Sequence, residues 1–442
     1  MILKKKHIYI PIEILVREIN PKILFAFKAA CKNYRVYIGT KTGIDKLLSQ
    51  KIKSKLRSGI FFHKSQLLNN SNYINKIKKT CEKFVVLDEE LGVGVANINS
   101  AFERRAINPK TIDRFFVIGK RMMNLLIKFN PYFKKISKIS GWIKYDTYRE
   151  KNINIYENEI KKIRENYGKF YLFSSNYGIL SNKEIPNRLK SRFNKNLKFN
   201  EQSIRHFKNS SSDFKYLKKK LSKFLQKNPD FKIIIRPHPS ERYQNDWTFF
   251  EKFKNVSLVM KYDIVPWIIS SQGIIHRGCT SAVDAFILNK PIYYLCPNRI
   301  LKPHEKNLTY EISEKIKDFN SIKKKNLKKK FFNRKILLNE ISLQKPSYSK
   351  IINELNNFKI KKEIKIRLNN FNNFMNYLIP KLGNLKILIN KFFFNKKNIS
   401  YSKIPEFINK DELIKKIDLI NSKNIKIKIF EVTREVFEIE KK

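Results

Sequence analysis

The segment from Phe231 to Pro291 constrains the fold most, because it contains two apolar runs that end abruptly in polar residues. The first run, FKIIIR, precedes PHP at 237–239, and the second, GIIH, precedes RGCTS at 277–281. Each run has the length and β-branched content of a buried strand. In a parallel sheet the carboxyl ends of both strands lie at one edge, where open α/β sheets bind ligands. The segment therefore predicts a binding edge on a parallel sheet.

The rest of the chain continues this alternation of strands and helices. The first third combines a helix pattern at 21–33 with strand patterns at 7–12, 34–39, 59–63, 83–88, 115–119 and 135–141. A second series has helices at 213–227 and from about residue 280, and strands at 169–178, 231–236, 256–260, 273–276 and 291–295. Such alternation is typical of parallel sheets with helices on both faces. We therefore predict an α/β protein with two Rossmann-like, doubly wound domains that face a cleft.

Composition along the chain suggests where the domains end. We expect the first domain at 1–143, a polar linker or connecting helix at 144–167, and the second domain at 168–300. Residues 301–442 are predicted to form a basic helical extension, followed by a helix at 410–421 and a strand at 425–432 that pack back on the body.

The chain is strongly basic, with a formal net charge of +55. Such a charge is typical of proteins that bind nucleic acid or an anionic membrane surface. However, Lys far outnumbers Arg, and Asn, Ile and Phe are also abundant, as an AT-rich genome would produce. Phosphate and base recognition usually favours Arg. The composition therefore disfavours nucleic acid as a partner, whereas attraction to anionic lipid head groups would follow from the charge itself.

The four cysteines do not predict a disulfide framework or a zinc site, because they are far apart and form no CxxC pair. We expect a reducing cytoplasm. Charges interrupt the apolar N-terminal sequence, which therefore does not resemble a signal peptide, and no uncharged apolar run is long enough to span a bilayer. Any work at a membrane would be peripheral, at the inner membrane.

Candidate ligand-binding residues of the second domain follow its strands. His238 lies between two prolines, whose fixed φ would hold the imidazole for hydrogen bonding to a phosphate or for acid catalysis. The helix that begins near Thr280 presents unpaired N–H groups to an anion, although simple N-capping also explains one hydroxyl. Gly278 allows close backbone approach, and Asp284 suits a ribose hydroxyl. The predicted contacts to a phosphate-bearing ligand are Arg236, Pro239, His276, Gly278, Thr280, Ser281, Asp284, Ser175 and Asn176.

Candidate residues of the first domain are mainly acidic. Asp88, Glu89 and Glu90 follow a strand, and crowding of like charges raises at least one pKa, which suits a base that deprotonates a sugar hydroxyl. Helix N-capping is the structural alternative. Glu13 and Arg17 follow the first strand and are predicted to contact an acceptor.

Several familiar catalytic motifs are missing from the sequence. It has no HExxH, no Walker loop, no Ser-His-Asp ordering and no clustered metal ligands. These absences disfavour hydrolase, metalloenzyme and kinase functions, and we predict neither a metal site nor a cofactor.

Taken in order, these motifs resemble those of bacterial surface carbohydrate (surface polysaccharide) biosynthesis proteins, whose fold is GT-B-like. The resemblance covers roughly residues 7–297 and the C-terminus. It is carried by IYIPIEILVREINPK (8–22), GIFFHKS (59–65), VVLDEELG (85–92), SGWIKYDTYR (140–149), FSSNYG (173–178), IIIRPHPSE (233–241), the segment 265–291 and the tail 403–416. That family is similar to CMP-sugar-dependent sialyl-, polysialyl- and Kdo transferases.

The resemblance implies specific roles. Glu89 or Glu90 would be the acceptor base in the first, acceptor domain. His238 and Pro239 would bind the CMP phosphate, and Thr280 with Ser281 the donor, in the second domain. Leu91 stands where the acidic motif has glycine, so the base stays open among Asp88, Glu89 and Glu90.

The resemblance implies a glycosyltransferase that moves a sugar from a nucleotide-sugar donor to a glycan or lipid-linked acceptor, independently of metal. A CMP-activated nonulosonic acid or Kdo is the favoured donor. Two alternative enzymes on a similar scaffold are a CDP-alditol phosphotransferase and a UDP-sugar 2-epimerase. A basic nucleic-acid-binding protein is the alternative that is not an enzyme, and it would bind duplexes with a steep salt dependence.

Overall fold

The computed structural model describes residues 5–53, 56–65, 71–89, 109–181, 197–238, 241, 247–301, 306–323, 334–361, 410–433 and 435–442. The described residues divide into two compact units. The first unit contains residues up to Ile155 and from Lys335 onward, and the second runs from Tyr156 to Arg334. The chain therefore passes from the first unit into the second and then returns to the first. The boundary between the two units near Ile155 lies inside 144–167, the segment predicted as a linker.

The first unit is built on an eight-stranded sheet in the order β13-β14-β2-β1-β3-β4-β5-β6. The strands are β1 Lys6–Ile12, β2 Tyr34–Thr40, β3 Ile60–His63, β4 Lys83–Leu87, β5 Arg114–Val117, β6 Ser137–Ile139, β13 Ile427–Thr433 and β14 Val436–Lys441. Strands β1 to β6 pair in parallel. Consecutive residues Ile8, Tyr9 and Ile10 of β1 are fully buried, so both faces of this strand are covered.

Helices complete the first unit. They are α1 Leu15–Cys31, α2 Lys41–Lys53, α3 Ser71–Thr80, α4 Lys120–Phe129, α5 Phe133–Ile136, α6 Ile143–Asp146, α13 Arg334–Glu340, α14 Ser347–Asn356 and α15 Lys410–Ile420. Helix α1 begins six residues earlier than predicted, because the Glu18 carboxylate accepts the backbone N–H groups of Glu13 (3.0 Å) and Ile14 (3.2 Å) at its start. Pro21 therefore lies inside the helix rather than at its beginning.

A C-terminal hairpin extends the first sheet at the β2 edge. Strand β14 pairs antiparallel with β2, and β13 pairs antiparallel with β14. The sequence predicted only one strand here, because VFEIEK carries three charged residues, of which Glu438 turns out to be buried. Glu438 is fully buried 3.6 Å from Arg35, and Glu440 accepts from the same guanidinium at 2.9 Å. These ion pairs with Arg35 allow β14, although it carries charged residues, to pair with β2 in a buried part of the sheet.

The second unit has a six-stranded sheet in the order β12-β11-β10-β7-β8-β9. All its pairs are parallel, and its strands are β7 Tyr171–Ser174, β8 Ile233–Arg236, β9 Val256–Leu258, β10 Ile274–His276, β11 Ile292–Leu295 and β12 Glu314–Ile316. Counted within the unit, this is the Rossmann order 3-2-1-4-5-6. Its helices are α7 Glu157–Tyr167, α8 Leu197–Lys227, α9 Ile264–Ser270, α10 Ser281–Ile287, α11 Leu308–Glu311 and α12 Asn320–Lys323.

Both sheets confirm the predicted α/β class with two Rossmann-like domains. Each sheet has a switch point, where the chain leaves one half of the sheet for the other. It lies between β1 and β3 in the first unit and between β7 and β10 in the second. None of the described helices is long and apolar enough to cross a membrane. Within the extension predicted to be basic, the densest basic run is FNSIKKKNLKKKFFNRK at 319–335, and most of it lies outside the described residues.

Candidate functional site

Two loops meet at the switch point of the second sheet. One follows β7 and carries Ser175 and Asn176, and the other follows β10. The Ser281 hydroxyl donates to Ser174 Oγ at 2.9 Å, and Asn176 Nδ2 donates to the Gly278 carbonyl at 3.3 Å. Because β7 and β10 are neighbours in the sheet, these contacts form at the sheet edge where nucleotides bind in doubly wound folds.

Thr280 and Gly278 lie in the loop after β10, at the switch point where doubly wound sheets have a ligand-binding crevice. Thr280 is exposed and precedes helix α10, yet its side chain makes no capping hydrogen bond within the described part of the chain. N-capping, the structural alternative to ligand binding, therefore does not account for a hydroxyl at position 280. Gly278 has φ of +82°, and a Cβ there would have Asn176 Nδ2, at 4.0 Å, as its nearest neighbour among the described residues. Glycine is required here for its backbone conformation rather than for space.

Arg236 and His238 follow β8, the strand beside β7. The Arg236 guanidinium donates to the carbonyls of Lys261 (2.8 Å) and Tyr262, so it holds the loop before α9. Burial lowers the pKa of Arg236 to about 10. His238 is half-buried, and its carbonyl accepts the N–H of Glu241 at 2.7 Å. Pro239 lies outside the described residues.

Glu241 connects the loops after β7 and β8, a role that the sequence interpretation missed. Its buried carboxylate accepts from Ser175 Oγ (2.7 Å), Tyr177 N (2.5 Å) and Trp247 Nε1 (2.6 Å). Burial raises the pKa of Glu241, and these three donors oppose the rise. The hydroxyl of Ser175, a predicted ligand contact, is thus engaged by Glu241. The only sequence signal was a carboxylate shortly after the RPHP turn.

Two predicted ligand contacts lie below the loops rather than at their surface. His276 is fully buried, with Nε2 2.8 Å from Ser313 Oγ and Nδ1 accepting the N–H of Gly278 at 3.1 Å. Burial, with a contribution from Arg277, lowers the pKa of His276 to about 3, so the ring is neutral. Asp284 is also buried in α10. His276, through its contact with the Gly278 N–H, is placed to position the glycine loop.

A second cluster of charges gathers at the switch point of the first sheet. Lys64, directly after β3, donates to Glu18 Oε1 at 2.7 Å and lies 2.9 Å from Glu13 Oε2. Lys22 donates to Glu18 Oε2 at 2.6 Å, and Lys41 to Glu13 Oε1 at 3.0 Å. Burial alone would raise the pKa of Glu18, but Lys22 and Lys64 outweigh it and lower the pKa to about 2. The lysines were not predicted, because isolated lysines are common in this chain.

The structure brings Glu89 to the same place. Its backbone N–H donates to the Lys64 carbonyl at 3.0 Å. Its carboxylate interacts electrostatically with four charged side chains, those of Lys22, Glu18, Lys64 and Arg17. Burial raises the pKa of Glu89. Predicted residues Glu13, Arg17 and Glu89 thus converge on one corner of the first unit. Asp88 is buried beside Glu89, whereas Glu90 lies outside the described residues.

The pKa values of Glu13 and Glu89 are shifted in opposite directions. Contact with His63 and the charge of Lys64 hold the pKa of Glu13 well below its usual range, although burial opposes them. Two carboxylates with pKa values pushed apart are a common arrangement where one side chain must exchange a proton and another must stay charged. Among the described residues, no group of His, Cys, Asp and Glu could hold a metal ion.

Comparisons with known proteins identify similar folds. No family model and no curated protein matches the chain. The UDP-GlcNAc 2-epimerase of Methanocaldococcus jannaschii in complex with UDP-GlcNAc and UDP covers 80% of this chain and 99% of its own, with 11% identity and a TM-score of 0.51. S. aureus MnaA, in a co-structure with UDP, covers 82% and 100% with 12% identity and a TM-score of 0.43. The wall teichoic acid polymerase TagF, as the H444N variant with CDPG, covers 66% and 69% with 10% identity and a TM-score of 0.34. At 11% identity, the similarity to the Methanocaldococcus jannaschii epimerase shows the fold alone. That fold agrees with the GT-B-like class expected from the sequence.

Proposed function

We propose that this protein is a glycosyltransferase of bacterial surface polysaccharide biosynthesis that uses a nucleotide-sugar donor. The observation that carries the proposal is the crevice at the switch point of the second sheet, where the loops after β7 and β10 meet. Doubly wound sheets bind nucleotides at this position. The sequence resemblance favours a CMP-linked nonulosonic acid or Kdo as donor and a cytoplasmic protein that works peripherally at the inner membrane.

The donor site would use the polar groups at the surface of this crevice. Thr280 and Asn176 are exposed and offer a hydroxyl and an amide to the nucleotide. His238, held between Pro237 and Glu241, would hydrogen-bond the departing phosphate, where donors aimed at developing charge are most effective. Arg236, Ser175, Ser281 and His276 would keep these groups in place through the contacts described above, and Asp284 is buried in the helix that follows the loop.

The chemistry would begin with a hydroxyl of the acceptor glycan. Its oxygen attacks the anomeric carbon of the donor, its proton passes to a carboxylate, and the bond from the anomeric carbon to the phosphate oxygen breaks, with its electron pair leaving on the phosphate. Glu89 suits the base best, because burial raises its pKa toward the working pH. Asp88 and Glu90 are the other carboxylates of the same segment.

A UDP-sugar 2-epimerase is the second candidate, because a UDP-GlcNAc 2-epimerase shares the fold over 80% of this chain. The two functions differ in nucleotide, since the epimerase would prefer UDP and the favoured transferase CMP. Phosphate-binding loops alone do not separate these nucleotides, which differ in phosphate number and base.

Thermal unfolding with CMP, CDP or UDP tests both candidates. A ligand at about one hundred times its Kd stabilises the folded state by about 2.7 kcal/mol. The largest shift with CMP supports the transferase, and the largest with UDP supports the epimerase. The shift should shrink in Thr280→Val and persist in Ser222→Ala, whose hydroxyl bonds within α8. A wild-type protein that no nucleotide stabilises would contradict both.

A further inference from the structure

A basic and partly apolar surface lies at the β6 edge of the first sheet. Strand β6 is the last strand in the order of this sheet, and the chain reaches it from α4 through α5. Helix α4 packs against both α5 and β6, so the residues from the end of α4 to β6 lie close together. We name the following exposed residues of this stretch the edge surface: Lys128, Phe129, Lys134, Lys135, Lys138 and Ile139.

No acidic residue of the same segment offsets the charge of the edge surface. Neither Asp nor Glu occurs from residue 114 to residue 145. Arg114 and Arg121 of this segment pair with the carboxylates of Glu354 and Glu340, whereas no ion pair among the described residues involves the four lysines of the edge surface. These four ammonium groups therefore present a concentrated positive charge to an anionic partner.

Two large apolar side chains accompany the lysines. Phe129 is 40% exposed and Ile139 is 36% exposed. Seven large hydrophobic side chains of the described residues reach this exposure, and two of the seven lie within residues 128–139. A lysine on an edge strand also discourages pairing with another sheet, but that role accounts for Lys138 alone. Apolar side chains combined with lysines are typical of surfaces that enter the head-group region of an anionic bilayer.

We propose that the edge surface binds an anionic lipid bilayer, with its four lysines at the lipid phosphates and with Phe129 and Ile139 in the head-group region. This inference rests on the inner-membrane location in the proposed function, and it assigns that location to one surface of the first unit. A lipid-linked acceptor would then reach the unit that carries the proposed base. A surface for nucleic acid would favour Arg, and all four exposed cations of the edge surface are Lys.

Sedimentation with lipid vesicles tests the charged part of the edge surface. Wild-type protein should bind vesicles made of equal parts of phosphatidylglycerol and phosphatidylcholine, and should bind vesicles of phosphatidylcholine alone far more weakly. Replacing the four lysines of the edge surface with Gln should weaken binding to the anionic vesicles about tenfold or more, because each lysine near such a surface contributes about fivefold. The matched control removes four charges from exposed positions of α8 and should stay within about threefold of wild type, since distant charges are screened. It combines Lys208→Gln, Lys215→Gln, Lys219→Gln and Lys223→Gln.

A second variant tests the apolar part at a salt concentration that screens the lysines. Phe129→Gln combined with Ile139→Gln should weaken the remaining binding about tenfold, because both side chains lose apolar area that the bilayer would bury. Ile52→Gln combined with Ile300→Gln is the matched control and should bind as wild type, since these apolar side chains are also exposed, at 41% and 92%, but lie outside the edge surface. Thermal unfolding of each variant checks that the protein is folded.

Several results would overturn the membrane surface. A wild-type protein that binds no anionic vesicle does so, and so does an equal loss in the α8 control, which would assign the attraction to the overall charge of the chain. Unchanged binding of the apolar variant contradicts contact with the head-group region. Duplex RNA that binds more tightly than vesicles, and that loses affinity through the same four lysine substitutions, would assign the surface to nucleic acid. If the fourfold lysine variant does not fold, Lys134→Gln combined with Lys135→Gln, at exposed positions of α5, decides.

Stabilisation by nucleotides, measured on the same samples, separates this inference from the proposed function. If nucleotides stabilise wild type while vesicle binding ignores the substitutions in the edge surface, only the membrane surface fails. If the substitutions abolish vesicle binding while no nucleotide stabilises wild type, the proposed transferase fails and the membrane surface stands.

Discussion

The hydroxyl oxygens of Ser174 and Ser281 lie 2.9 Å apart although 107 positions separate the two residues in the chain. The contact joins the end of β7 to the first residue of α10. Ser174 also donates toward Cys279 Sγ at 3.3 Å, so the glycine loop is tied to the neighbouring strand. The shape of the proposed nucleotide crevice therefore depends on this pair.

Replacing Ser281 with Ala should weaken nucleotide binding with only a small loss of stability. A neutral buried hydrogen bond contributes about 1 kcal/mol, and its loss would loosen the loop that carries Thr280. Isothermal titration with the preferred nucleotide measures the effect. Ser222→Ala, in the same unit, should bind as wild type. Unchanged affinity in Ser281→Ala would show that the serine pair does not shape the crevice.

Replacing His238 with Ala should abolish most turnover while the protein stays folded. Loss of a group that donates to the leaving phosphate or acts as an acid costs about 10²- to 10⁴-fold in rate. Nucleotide release from the donor, followed over time, measures turnover, and circular dichroism checks the fold. His206→Ala is the control. Activity near that of wild type in His238→Ala would remove His238 from the mechanism.

Removing the Glu241 carboxylate should destabilise the second unit. Glu241→Ala leaves the buried donors Trp247 Nε1 and Ser175 Oγ, and the N–H of Tyr177, without their acceptor. We expect a loss of about 2–4 kcal/mol in the free energy of unfolding. Urea denaturation followed by tryptophan fluorescence measures it. Glu165→Ala, at an exposed position of α7, should change little. Equal midpoints for the two variants would argue against this role.

Acid should destabilise the first unit through Glu18. Because its pKa is lowered from 4.5 to about 2 in the folded state, its stabilisation is present above about pH 4.5 and is lost as the pH falls toward 2. The shift corresponds to about 3 kcal/mol. Urea denaturation at about pH 7 and about pH 3 measures the loss. Glu18→Gln should be less stable at neutral pH, because Lys22 and Lys64 lose a partner, and should lose less stability on acidification than Glu165→Gln. An equal fall in both variants would refute the assignment.

An added methyl group at Gly39 should displace the C-terminal hairpin. A Cβ there would lie 2.2 Å from the Glu435 carbonyl oxygen and 2.9 Å from Val436 Cα, both backbone atoms of the hairpin. We expect Gly39→Ala to cost about 1–3 kcal/mol and to expose the C-terminus to protease. Gly168→Ala is the comparison, since its Cβ meets no atom of the described residues within 4 Å and its φ of +62° adds only local strain. Similar cleavage rates would show that the hairpin tolerates the methyl group.

The strands and the residues that follow them were predictable from local pattern. Apolar runs such as FKIIIR and GIIH become β8 and β10, and parallel pairing brings their carboxyl ends to one edge. Parallel pairing likewise brings the ends of β1 and β4, after which Glu13 and Glu89 follow, to one edge of the first sheet. Strand β14 was missed, because its charges are buried only through pairing with Arg35, more than 400 positions away.

By itself, the sequence determined the α/β class, the Rossmann-like alternation and which loops could carry a site, because these follow from periodicity within a few residues. Only the tertiary structure decided what each polar side chain does. It buried His276 under the glycine loop, gave Glu241 three donors from other segments, and set His63 Nε2 next to Glu13. Hydrogen bonds and charge effects act over a few ångströms, and residues at that distance are often far apart in the chain. Local pattern therefore indicates which loops are candidates for a site, and long-range contacts decide what each polar side chain in them touches.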